Sequence, residues 1–220
     1  MPSAEICIES GQKRVFASAL AWPGWSRSAP SEEAAIEALI AYGPRYAKVL
    51  AARKLGFAPP KTVEHLKIVE RVPGNGTTDF GAPAVAATWE ETEIDGKDLK
   101  RLLSILDAGW AALDRSLAKA SGARLLTGPR GGGRTAEKIL AHIRDAEAAY
   151  LRKIGGAGSR PSGIAGERAG LVEAFKRAAT GGVPGSGPRG GKMWTPRYLA
   201  RRTVWHVLDH TWEIDDRLEA

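Results

Sequence analysis

The sequence predicts an α+β protein, with a small α+β domain over residues 1–93 followed by a four-helix bundle over residues 94–220. Short alternating strand patterns flank a single helix in the first part. After Asp95, apolar residues recur at the helical period. Helix caps and glycine-rich breaks divide that second part into helices.

Two strands are expected between Ala4 and Ala21. Ile6 and Ile8 alternate with polar residues, Gly11-Gln12-Lys13 supplies a turn, and Val15 to Leu20 forms a second apolar-rich run. Trp22-Pro23-Gly24-Trp25 reads as a loop, because proline and glycine interrupt regular structure. Ser31 is placed to cap a helix whose first turn carries Glu32 and Glu33 at the positive end of the dipole. Ile36, Leu39 and Ile40 share a face of that helix, which ends near Gly43-Pro44 or restarts after it. A further strand is expected from His65 to Val72, and Pro73-Gly74-Asn75-Gly76 then reads as a loop.

Leu99, Leu102, Leu103, Leu106, Trp110 and Leu113 mark the first helix of the bundle. Thr135 opens the second, which runs to about Ile154 with Ile139, Leu140, Ile143, Ala146 and Tyr150 on one side. The third covers about Ile164 to Ala179. Thr195 caps the last, with Pro196 in its first turn. The glycine-rich stretches 128–133 and 181–191 lack the spacing of a nucleotide-binding loop and read as connections.

The 220 residues include one cysteine, Cys7, so neither an internal disulfide nor a cysteine-rich zinc site can form. Together with an N-terminus unlike a signal peptide, this predicts a cytoplasmic protein. No apolar run reaches the ~20 residues of a bilayer span, so no membrane partner is expected. The formal net charge is +7, but cations are dispersed among acids, which disfavours direct nucleic-acid binding.

Chemistry concentrates in three of the four histidines. His206 and His210, within Trp205-His206-Val207-Leu208-Asp209-His210, are one turn apart on one helix face, a spacing that lets two imidazoles share an ion. His142 lies in the apolar face of another helix and supplies a third nitrogen. Three neutral imidazoles leave a coordination position open for water or a substrate thiolate. Zinc or nickel is the expected divalent ion; iron and copper also accept this donor set. Metal-bound histidines need an acceptor on the second ring nitrogen. Asp145 and Glu213 are the candidates, and Glu213 is alternatively a fourth ligand. Arg134, Arg197, Arg201 and Arg202 are candidates for holding an anionic substrate. His65 reads as structural. Trp22 and Trp25, flanking a Pro-Gly loop, would mark a homodimer or ligand surface if exposed, and otherwise belong to the core.

The segments Arg134 to Glu147 and Trp205 to His210 resemble the DinB/YfiT-like superfamily of metal-binding four-helix bundles. The resemblance covers about residues 95–220 and implies His142, His206 and His210 as ligands. It also implies a metal-dependent enzyme, a transferase or hydrolase, some relatives using a low-molecular-weight thiol cosubstrate. Ala21 to Trp25, followed by Ser31-Glu32-Glu33-Ala34 and a helix, more weakly resembles HicB-like α+β domains. The alternative expectation is a non-enzymatic binding or regulatory module, in which the bundle is a metal-stabilised scaffold for an acidic or protein partner.

Overall fold

A computed structural model describes residues 4–127, 133–156, 163–183, 185–187 and 191–218. The chain is a mixed α+β protein, a four-stranded sheet at the N-terminus followed by helices. Residues 128–132 and 188–190, parts of the expected connections 128–133 and 181–191, lie outside the described residues, as do 157–162.

The sheet comprises β1 (Ala4–Ser10), β2 (Val15–Ala19), β3 (Ser26–Ala29) and β4 (Leu66–Pro73) in the order β3-β2-β1-β4. β1 pairs antiparallel with β2 and parallel with β4, so the connection to β4 must cross the sheet. α1 (Glu32–Leu50) makes that crossing. Ser31 Oγ accepts from the N–H of Ala34, the expected cap. Instead of stopping at Gly43-Pro44, α1 runs through Pro44, which is exposed and needs no backbone donor there. The pleat sends Ile6, Ile8, Ala17 and Ala19 toward α1 and Cys7, Glu9, Phe16 and Ser18 to the other face.

β3 is a strand that apolar alternation does not reveal. Its side chains find polar partners: Ser26 meets the Ser18 hydroxyl, Ser28 accepts from Arg14, and Arg27 donates to Asp209 at 2.9 Å. The segment from Pro73 also holds a short helix, α2 (Gly76–Phe80), where a loop is expected. Asn75 and Thr78 form its reciprocal capping pair. His65 belongs to a 3-10 turn, Val63–His65, before β4, with Nδ1 3.0 Å from Thr62 Oγ1.

Residues 74–95 form a strap over the second sheet face, anchored by acidic side chains. Glu9 accepts the N–H groups of Ala84 and Val85 and the Thr78 hydroxyl, and Glu70 accepts from Thr88. Cys7 is buried beneath the strap, where desolvation pushes its thiol up to about 12, far from a nucleophile.

The helical part contains α3 (Gly96–Ala120), α4 (Ala136–Arg152), α5 (Gly163–Gly181) and α6 (Pro196–Arg217). α6 is covered almost throughout: α3, α4 and α5 pack on it, Trp205 meets Phe16 of the sheet, and Trp212 meets Tyr42 of α1. One apolar cluster therefore runs from Ile6 and Leu39 through Leu106 to Val204, across the boundary expected near residue 93. Among the described residues no helix is long and apolar enough to cross a membrane.

The Trp22–Trp25 turn helps join the two parts. Trp25 is fully buried and donates Nε1–H to Leu39 O at 2.8 Å; Trp22 is half-buried between Phe57 and the Arg101 guanidinium. The two rings are packing elements rather than an exposed surface. Gly24 sits at φ +91°, and a Cβ there would lie 2.4 Å from Val204 Cγ1 on α6. Gly24→Ala combines left-handed backbone strain with overpacking, so we expect a loss of about 2–4 kcal/mol in urea unfolding. A loss under 1 kcal/mol would show that this turn does not dock tightly on α6.

Candidate metal centre

Local sequence sets the positions of the three histidines. The Thr195 hydroxyl accepts from the Tyr198 N–H and Pro196 occupies the first turn, so α6 starts in a fixed register. His206 and His210 then point the same way, one turn apart. Thr135 caps α4 in the same manner, and burial of Ile139 and Ile143 turns His142 toward α6.

The result is a three-nitrogen cluster. One ring nitrogen from each of His142, His206 and His210 falls within 4.8 Å of the other two. His206 Nε2 and His142 Nε2 face each other at 3.1 Å, and the ring centroids lie 4.7–5.0 Å apart. An ion with 2.0–2.1 Å bonds to nitrogen holds tetrahedral ligands roughly 3.3 Å apart, so the donors suit such an ion. His206 and His210 are buried and His142 is exposed, which leaves the cluster approachable from the α4 side.

Two of the three rings are held toward the neutral form. Burial holds His206 well below the ordinary imidazole range, and the nearby charges of His210, His142, Arg202 and Arg134 add to this. His142 is also lowered, first by burial and then by His210 and Arg134, against the opposing pull of Asp145 and Glu213. Neutral imidazoles with lone pairs available are what a divalent ion requires.

Glu213 supports the cluster from behind. Its Oε2 lies 2.7 Å from His210 Nδ1, which leaves His210 Nε2 to face the other rings. Arg217 donates to Glu213 Oε1 at 2.9 Å and Arg134 to Oε2 at 3.3 Å. Burial pulls the Glu213 carboxyl up, but His210 and the two guanidiniums overcome this and hold it low. This is the arrangement of an acceptor that orients a ligand, and it occupies the carboxylate that a fourth ligand would use. Asp145 is exposed on α4 and acts on His142 through its charge. His206 Nδ1 is buried without a hydrogen-bond partner, so the second nitrogen of this ring lacks the support given to His210.

The arginines separate. Arg134 sits against Glu213, beside the cluster. Arg197 and Arg201 do not reach it. Arg197 donates to Asp98 and to the Glu93 carbonyl and stacks over Trp89. Arg201 makes a two-point pair with buried Glu90, at 2.6 and 2.8 Å, and donates to Val85 O. Both arginines tie α6 to the strap, so their donors are committed and the expectation that they hold a substrate is corrected. Arg202 does lie next to His206. Tyr150 also borders the centre, with its ring 6.0 Å from that of His206. The sequence carried a signal for both: Arg202 precedes His206 by one turn, and Tyr150 is two turns after His142.

A cleft of about 420 Å³ lies apart from the histidines, between α1, α3 and α6. Arg45, Lys48, Arg115 and Lys119 line it, with Asp215. Comparison of the chain with protein-family models, with curated proteins and with solved structures finds no match, so the residues of the site carry the functional reading.

Proposed function

We propose that this chain is a metal-dependent enzyme of the DinB-like kind, a transferase or hydrolase acting on a small molecule, with a thiol or water as nucleophile. The observation that carries the reading is the convergence of His142, His206 and His210, with His210 oriented by Glu213. Residues 95–220 would be the DinB-like bundle and the N-terminal part a HicB-like domain packed on it. When bound, a divalent ion such as zinc or nickel supplies Lewis acidity that makes a thiol or water nucleophilic near neutral pH. The protein's own residues do the rest. Three rings supply the donors, the Glu213–Arg134–Arg217 cluster fixes one of them, and the exposed side at His142 admits the substrate.

The purified protein should carry about one equivalent of zinc or nickel by elemental analysis. His206→Ala should lose at least nine-tenths of it, since removing one of three nitrogens leaves only a two-point grip. Chelation should lower the unfolding temperature of the wild type and leave His206→Ala nearly unaffected. A metal-free protein, or full metal in His206→Ala, would sink the reading.

The cationic cleft favours a second reading, a metal-stabilised module for an acidic partner. Retention on heparin that falls steeply with salt and is lost in a Lys48→Glu, Lys119→Glu double variant would support it; passage through the column at low salt would end it.

A further inference from the structure

Arg202 is the one buried guanidinium beside the histidine cluster that the fold itself does not account for among the described residues. The residue is 7% exposed, yet Nε and Nη1 are buried without a hydrogen-bond partner. Its polar contact is a 3.3 Å bond from Nη2 to the Tyr150 hydroxyl. The rings of Trp205, Tyr150 and Trp194 surround it at 5.2, 5.5 and 5.9 Å from the guanidinium carbon. Ring faces attract a cation but accept no N–H bond as an oxyanion does. The contrast with its neighbour Arg201, whose charge Glu90 neutralises, is sharp. A buried cation with free donors is costly unless an anion meets it.

The position of this group ties it to the centre. Arg202 precedes His206 by one turn of α6, and both side chains border the same two rings, Tyr150 and Trp205. An anion on Arg202 would place the rest of its molecule within reach of the exposed side of the cluster. We propose that Arg202, with the Tyr150 hydroxyl, is the anchor for a substrate carboxylate, and that Trp194 and Trp205 form the walls of that subsite. A planar carboxylate matches a guanidinium in plane and fits between aromatic walls; one cation neutralises one such group. The inference rests on the metal-centre reading for where the reacting end lies, while the anchor itself is testable without it.

The test is titration of the purified full chain with acetate, benzoate and inorganic phosphate at constant ionic strength in chloride, followed by tryptophan fluorescence and unfolding temperature. Metal content is measured in the same samples. Acetate or benzoate should give a saturable response. Arg202→Met should weaken it at least tenfold while keeping the wild-type metal content, and in chloride alone should leave the unfolding temperature unchanged or raise it. Arg202→Lys, which keeps the charge but not the planar donors, should weaken binding in between. Absence of any carboxylate response, an equal response in Arg202→Met, or a response to phosphate alone would overturn the proposal. A drop of several degrees on Arg202→Met in chloride would do the same, by showing that the ring contacts alone explain the residue. An Arg202-dependent carboxylate response in a protein without metal would keep the anchor and remove the metal centre.

Discussion

Arg201→Met should destabilise the protein by about 3–5 kcal/mol in urea unfolding, because it removes the cation that meets the Glu90 carboxylate in a dry site. Glu90 and Arg201 are 1% and 3% exposed and meet through two bonds. Burial opposes the charge on Arg201, and Glu90 overcomes that opposition, so the arginine stays protonated. The variant also strips the Val85 carbonyl of a donor. Adding Glu90→Gln should recover more than 1 kcal/mol. Glutamine carries no charge to strand, and its oxygen can still accept the Ala87 N–H that Glu90 takes at 2.8 Å. Since the pair holds the strap to α6 and touches no histidine, the folded fraction of Arg201→Met should keep its wild-type metal content. A loss under 1 kcal/mol, or no recovery in the double variant, would mean the pair is not the clasp described.

Much of this fold is legible because helix starts have local causes. Ser31, Thr135 and Thr195 each cap the helix they open, and the period of Leu102, Leu106 and Leu113 reports the buried face of α3. The three histidines are legible for the same reason, since helical spacing converts residue numbers into faces. What the sequence hides is set by distant polar partners. β3 goes unmarked because Ser26, Arg27 and Ser28 are satisfied by Ser18, Asp209 and Arg14, and no apolar alternation is needed. The allegiance of the arginines is hidden too. Four appear equivalent along the chain, but Arg201 is claimed by Glu90, 111 positions away, and Arg197 by Asp98, 99 positions away. Arg202 is left with rings and the Tyr150 hydroxyl. Glycine and proline around Asn75 likewise disguise a helix of five residues whose capping pair is present in the sequence.

Glu147→Gln should stabilise the protein at pH 8 by about 2–3 kcal/mol and change it little at pH 5, because a buried carboxyl in the helical core is being ionised against its surroundings. Glu147 lies on α4 and accepts the Trp110 Nε1–H at 2.6 Å. Burial raises its pKa from 4.5 to about 7; Glu167 and Asp114 push the same way, while Trp110 and Arg168 push back. The sign follows from linkage. Between pH 4.5 and 7 the unfolded chain releases this proton while the folded chain keeps it, so the contribution of Glu147 to stability falls as pH rises through that window and is lowest above 7. Glutamine keeps the acceptor for Trp110 and removes the ionisation. For a chain of this size the gain at pH 8 corresponds to roughly 5–10 °C in unfolding temperature. Comparing the two proteins by thermal unfolding at pH 5 and pH 8 cancels every other titrating group they share. An equal difference at both pH values would show that Glu147 ionises normally, and that the α3–α4 seam around Trp110 admits water.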